Sequence, residues 1–285
     1  MNGYTRFMRV AIWAVLVGCA SESPRAPVAD EGDAAIDART EVTAEVAVDA
    51  GADATDATET GPSALRVLFV GNSYTFTNDL PGTLAAIATT SKVPPSIEVA
   101  EVTVGGATFK SLFDAGDAQK RIDEKTWTHV VLQGQSLEPL WQPTVFKSYG
   151  SKFADAIQAT SARVVWFATW ARIEGDPSYA ETWSGATPDG MQDGLTAGYT
   201  ALATKYPSSL LVKAGEAFRL VKKERPTLAL QVDDKSHPTI AGTYLAACMF
   251  YVALAAKEVP TSSVAPKDLA PADVTYLRGV PARVK

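Results

Sequence analysis

Short apolar runs alternate with longer mixed stretches between residues 65 and 257. The runs at 65–70, 96–104, 128–132, 163–169 and 209–213 have strand length, and several are rich in Val, Ile and Phe with few polar interruptions. A half-exposed strand would alternate; runs of this kind predict strands buried on both faces of a parallel sheet. Between them, 80–90, 109–122, 143–160, 189–205 and 216–223 have helical length and composition. The last long element, 238–257, begins at a Pro suited to the first turn of a helix. The β-α-β-α rhythm predicts an α/β domain, a three-layer sandwich with right-handed crossovers.

The first 63 residues break the rhythm. Arg6 and Arg9 precede an apolar run at 10–17 (VAIWAVLV), too short for a membrane span of about 20 residues. The run ends in Leu16-Val17-Gly18-Cys19, which resembles the lipobox of bacterial lipoproteins. The resemblance implies cleavage before Cys19, lipidation of its thiol and anchoring at a membrane surface; a simple secretory peptide cleaved near Ala20, or an uncleaved start, are the alternatives. Ala20 and Ser21, rather than Asp, follow the cysteine, which in bacteria with two membranes resembles outer-membrane lipoproteins. An extracytoplasmic, envelope-anchored protein is expected. Residues 20–63 contain no aromatic side chain and carry 11 acidic residues against Arg25 and Arg39, a net charge of −9. So polar a segment cannot bury enough apolar surface to offset its ordering entropy, and it reads as a solvated tether, with a weak helix as the alternative. The expected organisation is a signal peptide at 1–19, a tether at 20–63 and one domain at 64–285.

Charge then says little about the domain itself. Its 22 basic and 21 acidic residues nearly cancel, so the whole-chain charge of −6 belongs to the tether. Without a basic patch, nucleic acid is not an expected partner. Cys248, the only cysteine after Cys19, lies in AACMFYVALAA and is expected in the core. Two histidines and no CxxC pair supply too few ligands for an ordinary zinc site, and neither a metal nor a cofactor is expected.

In an open parallel sheet, ligands bind beyond the carboxyl ends of the strands. The residues to read are therefore GNSYT after the first strand, GGATF after the second, QGQS after the third and TWARIEGD after the fourth. In VLFVGNSYT (67–75) the apolar strand stops at Gly71, which implies a tight turn, and Ser73 follows at the start of the next helix, where backbone amides lack partners. A Ser hydroxyl needs a base to attack anything. His129 opens the third strand, at the end of the sheet away from the crevice, and reads as structural. His237 sits in DDKSHP before the last helix, with Asp234 three residues ahead, close enough to orient the ring. Taken alone, this pair would read as a helix cap beside a surface histidine.

Four blocks in order shift that reading. VLFVGNSYT, VTVGGATF, QGQS and DDKSHPTIAGTYLAA resemble those of the SGNH (GDSL-like) hydrolases, esterases of a flavodoxin-like α/β/α fold with a five-stranded parallel sheet. The resemblance spans most of 65–285. It implies Ser73 as nucleophile, His237 as base and Asp234 as its partner. It also implies an oxyanion hole formed by the Ser73 amide, the Gly106 amide (Gly105 being one residue of register away) and the Gln135 side chain. Gln135 stands where the family usually has Asn, one methylene shorter. A GxSxG elbow with distant Asp and His would mark an α/β-hydrolase instead; GNSYT and a spacing of three exclude it.

The segment 170–189 is long for a connection in such a fold and carries Trp170, Tyr179 and Trp183; Trp141 lies beside the third block. Aromatic rings at a crevice can stack on sugars, so Asn72, Trp141, Trp170 and Trp183 are candidate substrate contacts, and an acylated glycan is a candidate substrate. The same rings can instead cover the core, the role expected of Trp127 and Trp166. The expected function is an ester hydrolase. A surface carbohydrate-binding module of the same fold is the alternative, and a purely structural surface protein would have no need for Ser73 and His237 together.

Overall fold

The computed structural model describes residues 64–90 and 95–284; the signal segment, Cys19 and the tether lie outside the described residues. Five parallel strands form one sheet in the order β2-β1-β3-β4-β5. They are β1 Ala64–Gly71, β2 Ser96–Thr103, β3 His129–Leu132, β4 Arg163–Phe167 and β5 Leu210–Val212. Residues 67–70 of β1, an interior strand, are wholly buried, which explains why its sequence does not alternate.

Alternation survives as a choice of layer. Val67, Phe69, Val131, Val165, Phe167 and Val212 join a core with α2 Leu80–Thr90, α8 Ala214–Glu224, α9 Ile240–Ala255 and α10 Pro271–Gly279. Leu68, Val70, Val130, Leu132, Val164 and Trp166 pack on the other side with α3 Phe109–Ala115, α4 Asp117–Asp123, α6 Pro143–Gln158 and α7 Pro188–Lys205. The result is the expected three-layer α/β/α sandwich. Trp127 and Trp166 are buried in the second core. Helix α9 is apolar on every side because it is enclosed on every side: Phe250 meets Phe69 and Phe167 edge-on at 5.3 and 4.9 Å. Cys248 lies in this helix, and burial pushes its thiol up to about 12, which leaves it inert.

The boundaries differ from expectation where local chemistry intervened. The single helix expected over 109–122 is two, because Gly116 takes a left-handed φ of 80° that caps α3 and opens α4. Helix α9 starts after Thr239, whose hydroxyl caps the Gly242 amide; Pro238 stays outside, bridged to Gln231. Two four-residue helices, α1 Ser73–Phe76 and α5 Glu138–Trp141, and the later α10 carry no periodicity long enough to have been read.

His129 is at the amino end of β3, paired with Val67 and Arg163, opposite the end that carries Gln135. Burial, with the Arg163 charge second, pushes its pKa down to about 4 from an ordinary 6.5. The unfolded chain therefore binds a proton that the folded chain refuses. Stability is whole above the ordinary value and falls as the pH drops towards 4. Urea denaturation should show His129→Gln flattening this slope, a difference on the order of 2 kcal/mol near the acid end. Parallel slopes for the two proteins would refute the assignment.

Candidate active site

The turn after β1 is tied to the turn after β3 by a buried knot. Gln133 Oε1 accepts from the Asn72 backbone N–H at 2.9 Å and the Thr75 hydroxyl at 3.0 Å, while its Nε2 donates to Asn72 Oδ1 at 2.9 Å. Asn72 Nδ2 donates to the carbonyls of Ala107 and Gly134 at 3.0 and 3.1 Å, which brings the loop after β2 into the same knot. Gly71 has no positive φ; what it supplies is room. A Cβ there would lie 2.6 Å from Thr75 Oγ1 and 2.7 Å from Gln133 Oε1. The tight turn read from the sequence is therefore a close approach of side chains. Asn72, a candidate substrate contact, spends its side chain on this knot and on capping Tyr74 N–H at 3.2 Å. Its role is to hold three loops together.

Ser73 follows as the first residue of α1. Its Oγ lies 2.8 Å from His237 Nε2, and His237 Nδ1 lies 2.5 Å from Asp234 Oδ2. Asp234 Oδ1 accepts the amides of Ser236 and His237 at 2.8 and 2.9 Å. Burial works to raise the Asp234 pKa, but the hydrogen bonds from the His237 ring and the two amides outweigh it and hold the carboxyl below its usual range. An ionised carboxylate on Nδ1 fixes the tautomer that leaves Nε2 free to accept the hydroxyl proton. The loop holding this pair is braced: Val232 N–H donates to the His237 carbonyl at 2.9 Å, and Gln231 Nε2 to the carbonyls of Ala171 and Lys235 at 3.0 and 3.1 Å. The arrangement can move a proton off Ser73 and stabilise the imidazolium that results.

Ser73, Gly105, Gly106 and Gln135 border one crevice of about 350 Å³. The glycines sit in a turn closed by Ala107 N–H on the Val104 carbonyl at 3.1 Å. Gly106 has a φ of 69°, the left-handed value a type II turn needs at its third position. Gln135 Oε1 accepts from Leu137 N–H at 2.8 Å and the Trp141 indole at 3.4 Å. That leaves its Nε2 as a donor without an acceptor among the described residues. Behind it, the wholly buried Glu138 takes the amides of Gln135 and Phe109 on one oxygen, each at 3.0 Å, so one carboxyl joins the two loops that carry these donors. Burial raises its pKa, opposed by those two amides.

The aromatic candidates divide. Trp141, 39% exposed, touches Gln135 at the rim. Trp170 does not face the crevice: it is 1% exposed, stacked between Tyr74 at 4.5 Å and Phe218 at 4.1 Å, with its N–H on the Ser236 carbonyl. Trp183 packs with Leu137, Met191 and Leu195 beside the crevice without lining it. Both rings follow the apolar surface that the sequence could not locate. Residues passed over in the sequence also line the crevice: Tyr74, Ser136, Arg172 and Ser236. Only the position of Arg172, just past β4, could have drawn attention to it. Among the described residues no group of His, Cys, Asp and Glu is arranged to hold a metal ion.

No protein-family model matches the chain, and no curated protein matches it. Solved structures do. A candidate SGNH hydrolase from Slackia heliotrinireducens superposes with a TM-score of 0.58 at 25% identity, over 67% of this chain and 99% of that one. A DUF4886 family protein from Bacteroides uniformis gives 0.63 at 13% identity, over 77% and 94%. An acetylxylan esterase from Geobacillus stearothermophilus gives 0.51 at 17% identity, over 65% and 92%. With its parallel five-stranded sheet, two helical layers and these structural relatives, the chain has the fold of the SGNH (GDSL-like) hydrolases.

Proposed function

We propose that the protein is a serine ester hydrolase that works through Ser73, His237 and Asp234 by way of an acyl-enzyme. The observation that carries this reading is the chain of contacts from Asp234 through His237 to Ser73, at 2.5 and 2.8 Å. His237 takes the Ser73 proton as Oγ attacks the ester carbonyl, then passes it to the leaving alcohol. Water, activated by the same imidazole, releases the acid from Ser73 Oγ. The oxyanion of each tetrahedral intermediate is met by the amides of Ser73 and Gly106 and by Gln135 Nε2. If so, Gln135→Ala should lower kcat by roughly 10²-fold with KM little changed, since the bond matters only once charge has developed. A change confined to KM would remove Gln135 from this role.

A crevice of about 350 Å³ suits a short acyl group, and the likeness to an acetylxylan esterase favours O-acetyl groups on a carbohydrate. The lipobox-like LVGC and the acidic tether support a site of action outside the cytoplasm, with the domain held at the envelope through Cys19. The test is release of p-nitrophenol from acetate, butyrate and octanoate esters, with a fluorophosphonate probe for Ser73. Turnover highest on the acetate and labelling lost in Ser73→Ala are expected. Absence of both turnover and labelling would overturn the hydrolase and leave the carbohydrate-binding module.

A further inference from the structure

Among the residues lining the crevice, Arg172 is the only Arg, Lys, Asp or Glu. It enters from the loop after β4 and is 12% exposed. Its Nη1 donates to the Tyr74 hydroxyl and its Nη2 to Ser136 Oγ at 2.9 Å, both neutral acceptors. The nearest carboxylate, Asp176, lies 4.0 Å from Nε, beyond hydrogen-bond reach, and one of its oxygens already accepts the amide and hydroxyl of Ser178. Of the five N–H groups of the guanidinium, three thus lack an acceptor among the described residues. Asp176 Oδ2 pairs with the guanidinium by charge at 4.0 Å but takes no hydrogen bond from it, and buried donors left without acceptors are costly to keep. A structural tie between Tyr74 and Ser136 does not require a full charge. A ligand anion would complete the site.

We infer that the preferred ester carries a carboxylate near the scissile bond and that Arg172 binds it. The inference rests on the esterase reading and names the substrate class of that same site. A carboxylate fits because it can take two N–H groups of the planar guanidinium at once. The group is also held in place before any ligand arrives. It lies over the Tyr74 ring at 5.7 Å, that ring is stacked on Trp170, and the Arg172 carbonyl accepts the Tyr179 hydroxyl at 2.6 Å. Little ordering remains to be done on binding. Lys235, the neighbouring cation, is committed to the Gly175 carbonyl at 2.6 Å and does not compete.

The carboxylate can belong to the alcohol, as in a uronate, or to the acyl group, as in a half-ester of a dicarboxylic acid. Two matched pairs separate these sources: O-acetyl glucuronate against O-acetyl glucuronamide, and monoethyl glutarate against ethyl glutaramate. In one pair the charged member should have kcat/KM roughly tenfold or more above its amide, chiefly through KM. Arg172→Gln should erase that ratio and Arg172→Lys restore part of it. Equal rates within both pairs, or a ratio that survives Arg172→Gln, would overturn the inference, and an equal loss on charged and neutral members would make Arg172 a structural tie only. If no ester is turned over at all, the esterase reading fails by itself. The carboxylate site is then judged by calorimetry of Ser73→Ala with glucuronate, glutarate and their amides. Anion binding that disappears on adding Arg172→Gln supports the site; absence of binding overturns it.

Discussion

Replacing Ser73 with Ala is expected to bring ester turnover down to background, a fall on the order of 10⁶-fold in kcat where comparable constellations have been dismantled. Ser73 opens α1, and Asn72, not Ser73, caps that helix, so Ala removes one oxygen without disturbing the turn. His237→Ala should cost about as much, since at 2.8 Å the two side chains share a single proton. For the same reason the double variant should be no worse than either single one. Initial rates on p-nitrophenyl acetate, with circular dichroism to confirm folding, decide the matter. Turnover that survives Ser73→Ala, or losses that multiply in the double variant, would show that the pair does not act as a unit.

Asp234→Asn should be the next most damaging change, approaching the roughly 10⁴-fold loss in kcat known for this exchange in a buried triad. Asn can keep one oxygen on the amides of Ser236 and His237, but then presents N–H to His237 Nδ1, where the carboxylate sits at 2.5 Å. The imidazole is forced to carry its proton on Nε2, the nitrogen that must accept from Ser73. Asp234 is 45% exposed, so water can solvate part of the imidazolium charge, and the loss should fall short of the buried case. Less than a tenfold loss would demote Asp234 to a cap of its own turn. Its lowered pKa carries a second consequence. The carboxylate supports this turn above the ordinary Asp value and loses that support only as the pH falls through the lowered folded value. Protonation of Asp234 should therefore not contribute to a fall in kcat/KM until the pH drops below the ordinary Asp value.

Much of the fold was legible because its signals are local. Five apolar runs fell on the five strands, and the long helices on α2, α6, α7, α8 and α9 to within a few residues. Errors came at single residues with special backbone or capping roles, Gly116 within one expected helix and Thr239 at the start of another. The order of blocks likewise singled out Ser73, Gly106, Gln135, Asp234 and His237; four of them line one crevice, and Asp234 stands behind His237. The aromatic contacts were the weak point. Composition and position could not say which face of Trp170 or Trp183 meets apolar surface: Trp170 turned inward, and half-buried Trp183 packs against a small apolar cluster.

The sequence by itself determined the layers and the strand positions and marked Ser73, Asp234 and His237 as candidates, since these signals lie within a few residues of one another or at the carboxyl ends of strands. Tertiary structure alone decided what meets across long separations. Gln133 reaches Asn72, Glu138 bridges the amides of Phe109 and Gln135, and Arg172 comes to rest against Tyr74 and Ser136. Such side chains look like ordinary polar loop residues in one dimension. Their roles arise because buried polar groups must find partners, and the partner available is fixed only when the sheet brings separate loops to the same edge.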